Sequence, residues 1–291
     1  MASVRTAIER VVPLSVLSSV GEYLNAVRLS RVQSRHVDFS RVARLPTIDV
    51  RSILDPAGLE TAWRATHDHI RSEIFAHQDV PHSPNPGDVR AIYQFIRACK
   101  PRHVLEVGTC LGVAALYIAT ALRQNAAETC SPCGKLTTVD IHDVNDRSTQ
   151  PLATSGLPRS PRETVIRAGL GEIVEFVAEC SFEFLRATSH RFDLVYFDGS
   201  TAAADVYRDL QNVNNALRND AVLLQHAFFP QGRPLWDGER AITGPWRAVR
   251  RLQADGAPLA AAPLGELPWP TKNGGCTTSL ALLGCDEGRD T

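Results

Sequence analysis

The chain has 291 residues, 44% of them hydrophobic and 22% charged, a composition that excludes wholesale disorder and collagen-like structure. Lys and Arg number 31 against 32 Asp and Glu, giving a net charge of −1. No basic excess exists to hold a phosphate backbone, so nucleic acid is a poor candidate partner. Every apolar run is broken by Arg, Glu or Pro well short of about 18 residues, which argues against a bilayer-spanning helix.

At the N-terminus, Glu9, Arg10 and Pro13 interrupt what an export signal needs as a continuous apolar core. Ile8, Val11 and Val12, then Val16, Leu17, Val20 and Leu24, recur at helical spacing and predict one or two amphipathic helices. A further helix is expected to begin near Pro56, with Leu59, Trp63, Ile70 and Ile74 on one face. His67, His69, His77 and His82 lack the spacing of metal ligands and read as solvated side chains. Residues 79–88 hold three prolines and a glycine and read as a loop or linker. Residues 1–85 are therefore taken as an N-terminal helical extension, a lid, a dimerisation surface or both, and a homodimer is expected. Seven cysteines, an odd number scattered along the chain, fit reduced thiols in a cytoplasm. Cys130 and Cys133 have half of a zinc site's spacing but lie in a polar insertion, and read as loop.

From residue 86 to 291 the pattern becomes strands alternating with helices. Apolar runs over 103–109, 135–143, 173–179, 192–200, 221–229 and 277–284 are the expected strands, with helical segments between them. This alternation predicts a Rossmann-like, doubly wound α/β fold whose sheet is mostly parallel. Ligands of such sheets sit outside the carboxyl ends of the strands.

The first strand runs into Glu106-Val107-Gly108-Thr109-Cys110-Leu111-Gly112. Gly108 allows a tight turn and close approach to a ligand, and Gly112 lets the next helix start against it. A pyrophosphate loop needs a middle glycine where Cys110 stands, which disfavours a nicotinamide-dependent oxidoreductase. Asp140 ends the second strand, where a carboxylate can accept both hydroxyls of a ribose, and Asp198-Gly199-Ser200 ends the fourth. Acids at the ends of strands one, two and four suit a cationic, ribose-bearing ligand without phosphate. S-adenosylmethionine is such a ligand.

Together, VLEVGTCLG, TTVDIHD and FDLVYFDGSTAAADVYRDL, with LLQHAFF and TSLALL, resemble the class I S-adenosylmethionine-dependent methyltransferases that act on small molecules in bacteria. The resemblance implies a seven-stranded sheet and activity on a small-molecule acceptor, with no nucleic acid or membrane partner. It places Glu106, Gly108, Thr109, Cys110 and Gly112 around the methionine moiety. Asp140 goes to the ribose, and Cys180 and Ser181 flank the adenine. His142 packs beside the adenosine, and Asp198 lies near the methionine amino group.

Oxygen is the expected acceptor atom, within specialised metabolism; carbon or nitrogen of an electron-rich aromatic such as an indole is the alternative. His226, at the end of the fifth strand, is the expected catalytic base. Ser200 and Gln225-His226 stand where metal-dependent relatives carry acids, so no metal is expected. Tyr23, Tyr93, Ser200 and Trp236 are the expected acceptor-binding residues, Trp236 from the long connection over 228–246.

Overall fold

The structure, a computed structural model, describes residues 14–285. Ile8, Val11 and Val12 of the expected N-terminal helices lie outside the described residues, as do the side chains of Val16, Leu17 and Val20. Helices of the described chain used below are α1 (Leu14–Ser30), α2 (Pro56–His69), α3 (Pro86–Cys99), α4 (Val113–Thr129), α5 (Pro161–Arg167), α6 (Ser181–Ala187), α7 (Ala203–Val213) and α8 (Gly244–Ala254). The strands are β1 (His103–Val107), β2 (Lys135–Asp140), β3 (Val174–Ala178), β4 (Phe192–Phe197), β5 (Leu217–Gln225), β6 (Leu259–Pro263) and β7 (Ala281–Cys285).

They form one sheet in the order β3-β2-β1-β4-β5-β7-β6. Strands β1 to β5 are mutually parallel, and β7 runs antiparallel to both of its neighbours. The order reverses beside β1, because β2 lies on one side of it and β4 on the other. The crevice expected of a doubly wound sheet therefore opens at the carboxyl ends of these strands.

Alternation along each strand feeds two apolar layers. Val104, Leu194 and Leu224 face one layer with Ile92, Phe95 and Ile96 of α3. Leu105, Val195 and Leu223 face the other with Tyr207 and Leu210 of α7. Both faces are buried, so these strands read as continuous apolar runs. Helix α3 starts sharply because Asn85 caps it, its Oδ1 accepting the Asp88 N–H at 3.0 Å, and Pro86 occupies the first turn.

Three differences from the sequence reading have simple causes. Strand β6 was not expected, because Leu259-Ala-Ala-Ala-Pro263 is poor in β-branched residues. Strand β5 begins at Leu217, four residues early, and its polar start is accommodated by a register shift against β4, with Asp220 at φ 58°. The N-terminal segment is woven into the core: Leu29, Val37, Phe39 and Val42 join one layer, and Trp63, Ile70 and Ile74 the other. Val42 also bridges to Ala221 at the start of the apolar half of β5.

Candidate functional site

A cleft of about 1080 Å³ opens at the carboxyl ends of β1, β2, β4 and β5 and the loop after β3. Its size reaches the upper end of the range for small-molecule sites, about 300–1,000 Å³. Glu106, Gly108, Thr109, Cys110, Asp140, Cys180, Ser181, Asp198, Ser200 and His226 all line it. The structure thus brings together ten of the residues singled out in the sequence.

Gly108 sets the floor. Its φ is +98°, and a Cβ there would stand 2.4 Å from the Asp198 carbonyl oxygen, so the β1 and β4 ends meet at a distance only glycine permits. Its N–H donates to Val139 O at 2.8 Å, which ties the turn to β2 as well. Gly112 does not line the cleft: at φ +76° it starts α4, and a Cβ would press on Pro161 of α5 at 2.8 Å. Its contribution is helix packing, one step removed from the ligand.

Asp140 shapes the loops on either side of it. One carboxylate oxygen accepts the Cys110 N–H at 3.0 Å and the other the His142 N–H at 3.1 Å. Cys110 sits at φ 49°, a costly conformation for a non-glycine residue, held by that bond. Burial pushes its thiol up to about 11, so it is a neutral wall of the cleft. His142 lies outside the cleft and lines a small adjoining hollow with Arg162 and Phe176. Ser181 turns its hydroxyl to Asp209 Oδ1 at 2.7 Å, and Ser200 donates to Asp205 Oδ2 at 2.9 Å.

Glu106 is fully enclosed. Its Oε2 accepts the Thr138 hydroxyl at 2.5 Å, while Oε1 is buried without a partner. Burial, reinforced by Asp198 and Asp140 and opposed by Thr138, pushes this carboxyl from 4.5 up to about 8. Between those two values the unfolded chain gives up a proton that the folded chain keeps, so this group's contribution to stability falls as pH rises from about 4.5 to about 8. Glu106→Gln is expected to melt with wild type at pH 5 and above it at pH 8. A variant that melts below wild type at pH 8 contradicts a neutral Glu106.

His226 is not the free base expected from its position. Its Nδ1 lies 2.5 Å from Asp198 Oδ1 and its Nε2 3.4 Å from Asp88 Oδ2. Burial alone lowers the ring's basicity, but Asp198 and then Asp88 outweigh it and push His226 up to about 10. A carboxylate at each ring nitrogen favours the charged form of the ring, which has no lone pair for an acceptor's proton. The other oxygen of Asp198 accepts the Tyr196 hydroxyl at 2.9 Å.

Three of the expected acceptor residues lie elsewhere. Tyr23 is 69% exposed on α1 and does not line the cleft. Tyr93 is wholly buried; its hydroxyl donates to Gln124 Oε1 at 2.5 Å and accepts from Arg97 at 3.0 Å. Helix α3 is covered on every side over Gly87–Arg97, so a tyrosine within it goes to the core. Trp236 packs edge-on against Phe229 and stands behind Lys272, whose Nζ is 5.1 Å from its ring centroid.

The cleft wall contains groups the sequence did not single out for it: the Pro81–Pro84 turn, Phe182, Ile242 and Lys272. Lys272 pairs with Glu239 Oε2 at 2.7 Å. His82 belongs to that turn, whereas His67 is half-buried, stacked on Trp63 and bonded to Tyr117. Cys130 and Cys133 are free thiols away from the cleft, as the loop reading implied. No helix among the described residues is long and apolar enough to cross a membrane.

Residues 105–228 match the family model described as a methyltransferase domain, a span running from Glu106 through His226. No curated protein matches the chain. Among solved structures, the O-methyltransferase from Bacillus cereus in complex with SAH aligns over 76% of this chain and 91% of its own, at 14% identity and a TM-score of 0.52. Cofactor-bound Rv0187 from MTB aligns over 86% and 99%, at 18% identity and a TM-score of 0.50. At such identities these likenesses establish the fold alone. Residues 105–228 thus match a methyltransferase domain, carried on a fold shared with solved methyltransferases.

Proposed function

We propose that the cleft holds S-adenosylmethionine along the β1, β2 and β4 ends and passes its methyl group to an oxygen of a small-molecule acceptor, without a metal. The observation that carries this reading is the convergence of Glu106, Asp140 and Asp198 on one cleft whose floor is cut back to a glycine. The unpartnered buried Oε1 of Glu106 fits an ammonium donor such as a methionine amino group, since a buried polar atom left unpaired costs about 1–3 kcal/mol. Asp140 faces the ribose hydroxyls; Gly108, Thr109 and Cys110 present backbone to the methionine; and Cys180 and Ser181 border the adenine. Oxygen as the acceptor atom is supported by the name of the Bacillus cereus neighbour.

When bound, the donor supplies an electrophilic methyl group on a positively charged sulfur. The chain's own task is alignment and exclusion of water, which together can supply much of the acceleration. Ser200 and the Pro81–Pro84 turn border the space left for the acceptor. Both oxygens of Asp198 are engaged by His226 and Tyr196, and Gln225 turns its amide to the His226 carbonyl at 2.8 Å. This donor set does not suit a hard cation, which favours several free oxygen ligands. Among the described residues no group of three His, Cys, Asp or Glu is arranged to hold a metal.

The test is formation of S-adenosylhomocysteine from S-adenosylmethionine across a panel of hydroxylated metabolites, with and without a strong chelator. Turnover that survives the chelator is the expected result. Turnover lost to the chelator and restored by Mg²⁺ overturns the metal-free reading, and a chain that fails to bind the donor overturns the whole assignment. The free thiols support a reducing compartment such as the cytoplasm, and the exposed Tyr23 and Leu24 of α1 support a homodimer.

A further inference from the structure

Asp88 is a fully buried carboxylate that the donor site does not use. It lies in the first turn of α3, outside the cleft lining, yet its oxygens are well occupied. Oδ1 accepts the Thr278 hydroxyl at 2.5 Å, Oδ2 accepts Asn85 Nδ2 at 2.7 Å, and His226 Nε2 stands 3.4 Å from Oδ2. Three distant stretches of chain thus meet at one acid: the turn entering α3, the end of β5 and the approach to β7.

A buried carboxylate is expensive unless a counter-charge and hydrogen bonds stabilise it. Thr278 and Asn85 supply the hydrogen bonds; the nearby positive charge is the His226 ring. That ring is only one-fifth exposed, and its exposed part faces the cleft. Asp198 takes its other nitrogen, so both ring nitrogens point at carboxylates on opposite sides.

We propose that Asp88 is a positioning residue for methyl transfer: it clamps the far edge of the His226 ring while Asp198 holds the near edge, fixing the ring in one orientation at the cleft wall. This inference rests on reading the cleft as the transfer site. Its chemical consequence is that His226 keeps its proton throughout turnover and takes none from the acceptor. The groups facing the ring account for this. Asp88 comes from α3, Asp198 and the Tyr196 ring, 6.5 Å away, from β4, and Glu106 from β1 shares the same cleft. Lys272 lines the cleft too, but its charge is met by Glu239. Two carboxylates at the ring edges outweigh the rest.

Nitrogen-resolved NMR of the full chain reads the clamp directly. In wild type both His226 ring nitrogens should remain protonated up to pH 8; a ring that titrates near pH 6.5 overturns the proposal without any variant. In Asp88→Asn, which keeps the shape of the side chain but removes its charge, the His226 midpoint should fall by at least one pH unit. An unchanged midpoint in a folded variant also overturns it. Affinity for S-adenosylhomocysteine, titrated in the same samples, should change less than threefold in Asp88→Asn, because Asp88 does not reach the donor. A wild-type chain that ignores S-adenosylhomocysteine defeats the cofactor reading while leaving the His226 titration to decide the clamp.

Discussion

Asp140→Ala is expected to weaken S-adenosylhomocysteine binding by on the order of 100-fold or more, while the protein remains folded. The carboxylate ends β2 in the cleft, where each oxygen, already accepting one backbone N–H, has a second lone pair for a ribose hydroxyl, and hydrogen bonds to a charged group are worth about 1.5–3 kcal/mol each. Two of them correspond to about 3 kcal/mol or more, hence the factor of 100. The same side chain anchors the Cys110 and His142 amides, so its removal also loosens the turn that follows β1. Asp140→Asn keeps one acceptor oxygen and should fall between the two. Calorimetry with S-adenosylhomocysteine measures both, and unchanged affinity in Asp140→Ala contradicts the ribose assignment.

Gly108→Ala should cost stability as well as binding. A Cβ at this position meets Asp198 O at 2.4 Å and the Asp198 carbonyl carbon at 2.6 Å, both backbone atoms that cannot swing away. Overpacking of this kind costs about 1–3 kcal/mol. The left-handed backbone at φ +98° adds about 1–2 kcal/mol for a residue with a side chain. The sum, about 2–5 kcal/mol, lowers the thermal midpoint of a chain this size by roughly 3–8 °C. The shift must be accompanied by loss of S-adenosylhomocysteine binding, because the β1 and β4 ends that form the cleft floor are forced apart. Gly112→Ala makes a useful contrast, since its Cβ would meet the ring of Pro161, and its effect should fall on stability more than on binding.

The parts of this fold that were readable in the sequence are those where a local pattern has one structural solution. Leu105 and Val107, with Val195 and Phe197, are apolar on both sides of their neighbours, and only a strand buried on both faces uses such runs. Glycines and acids directly after those runs fall at the carboxyl ends by necessity, so this rim of the cleft followed. The facing wall did not, because it is assembled from segments with no periodic signal. The Pro81–Pro84 turn reads as a linker, and Lys272 belongs to an irregular stretch before β7. His226 shows the same limit more sharply. Its place at the end of β5 was legible and its nearness to Asp198 followed from adjacent strands. Its second acid neighbour, Asp88 in the first turn of α3, is brought to the end of β5 by no local pattern. Tyr93 and Trp236 differ for another reason: aromatic side chains suggest a pocket, but the Tyr93 hydroxyl finds its partner inside the core and the Trp236 ring packs against Phe229.

Crystals grown with S-adenosylhomocysteine provide the most direct measurement. The account predicts its ribose against Asp140, its amino group within hydrogen-bond distance of Glu106 Oε1, and its sulfur above the Gly108 turn on the His226 side of the cleft. A molecule bound elsewhere, or an empty cleft at saturating ligand, contradicts it.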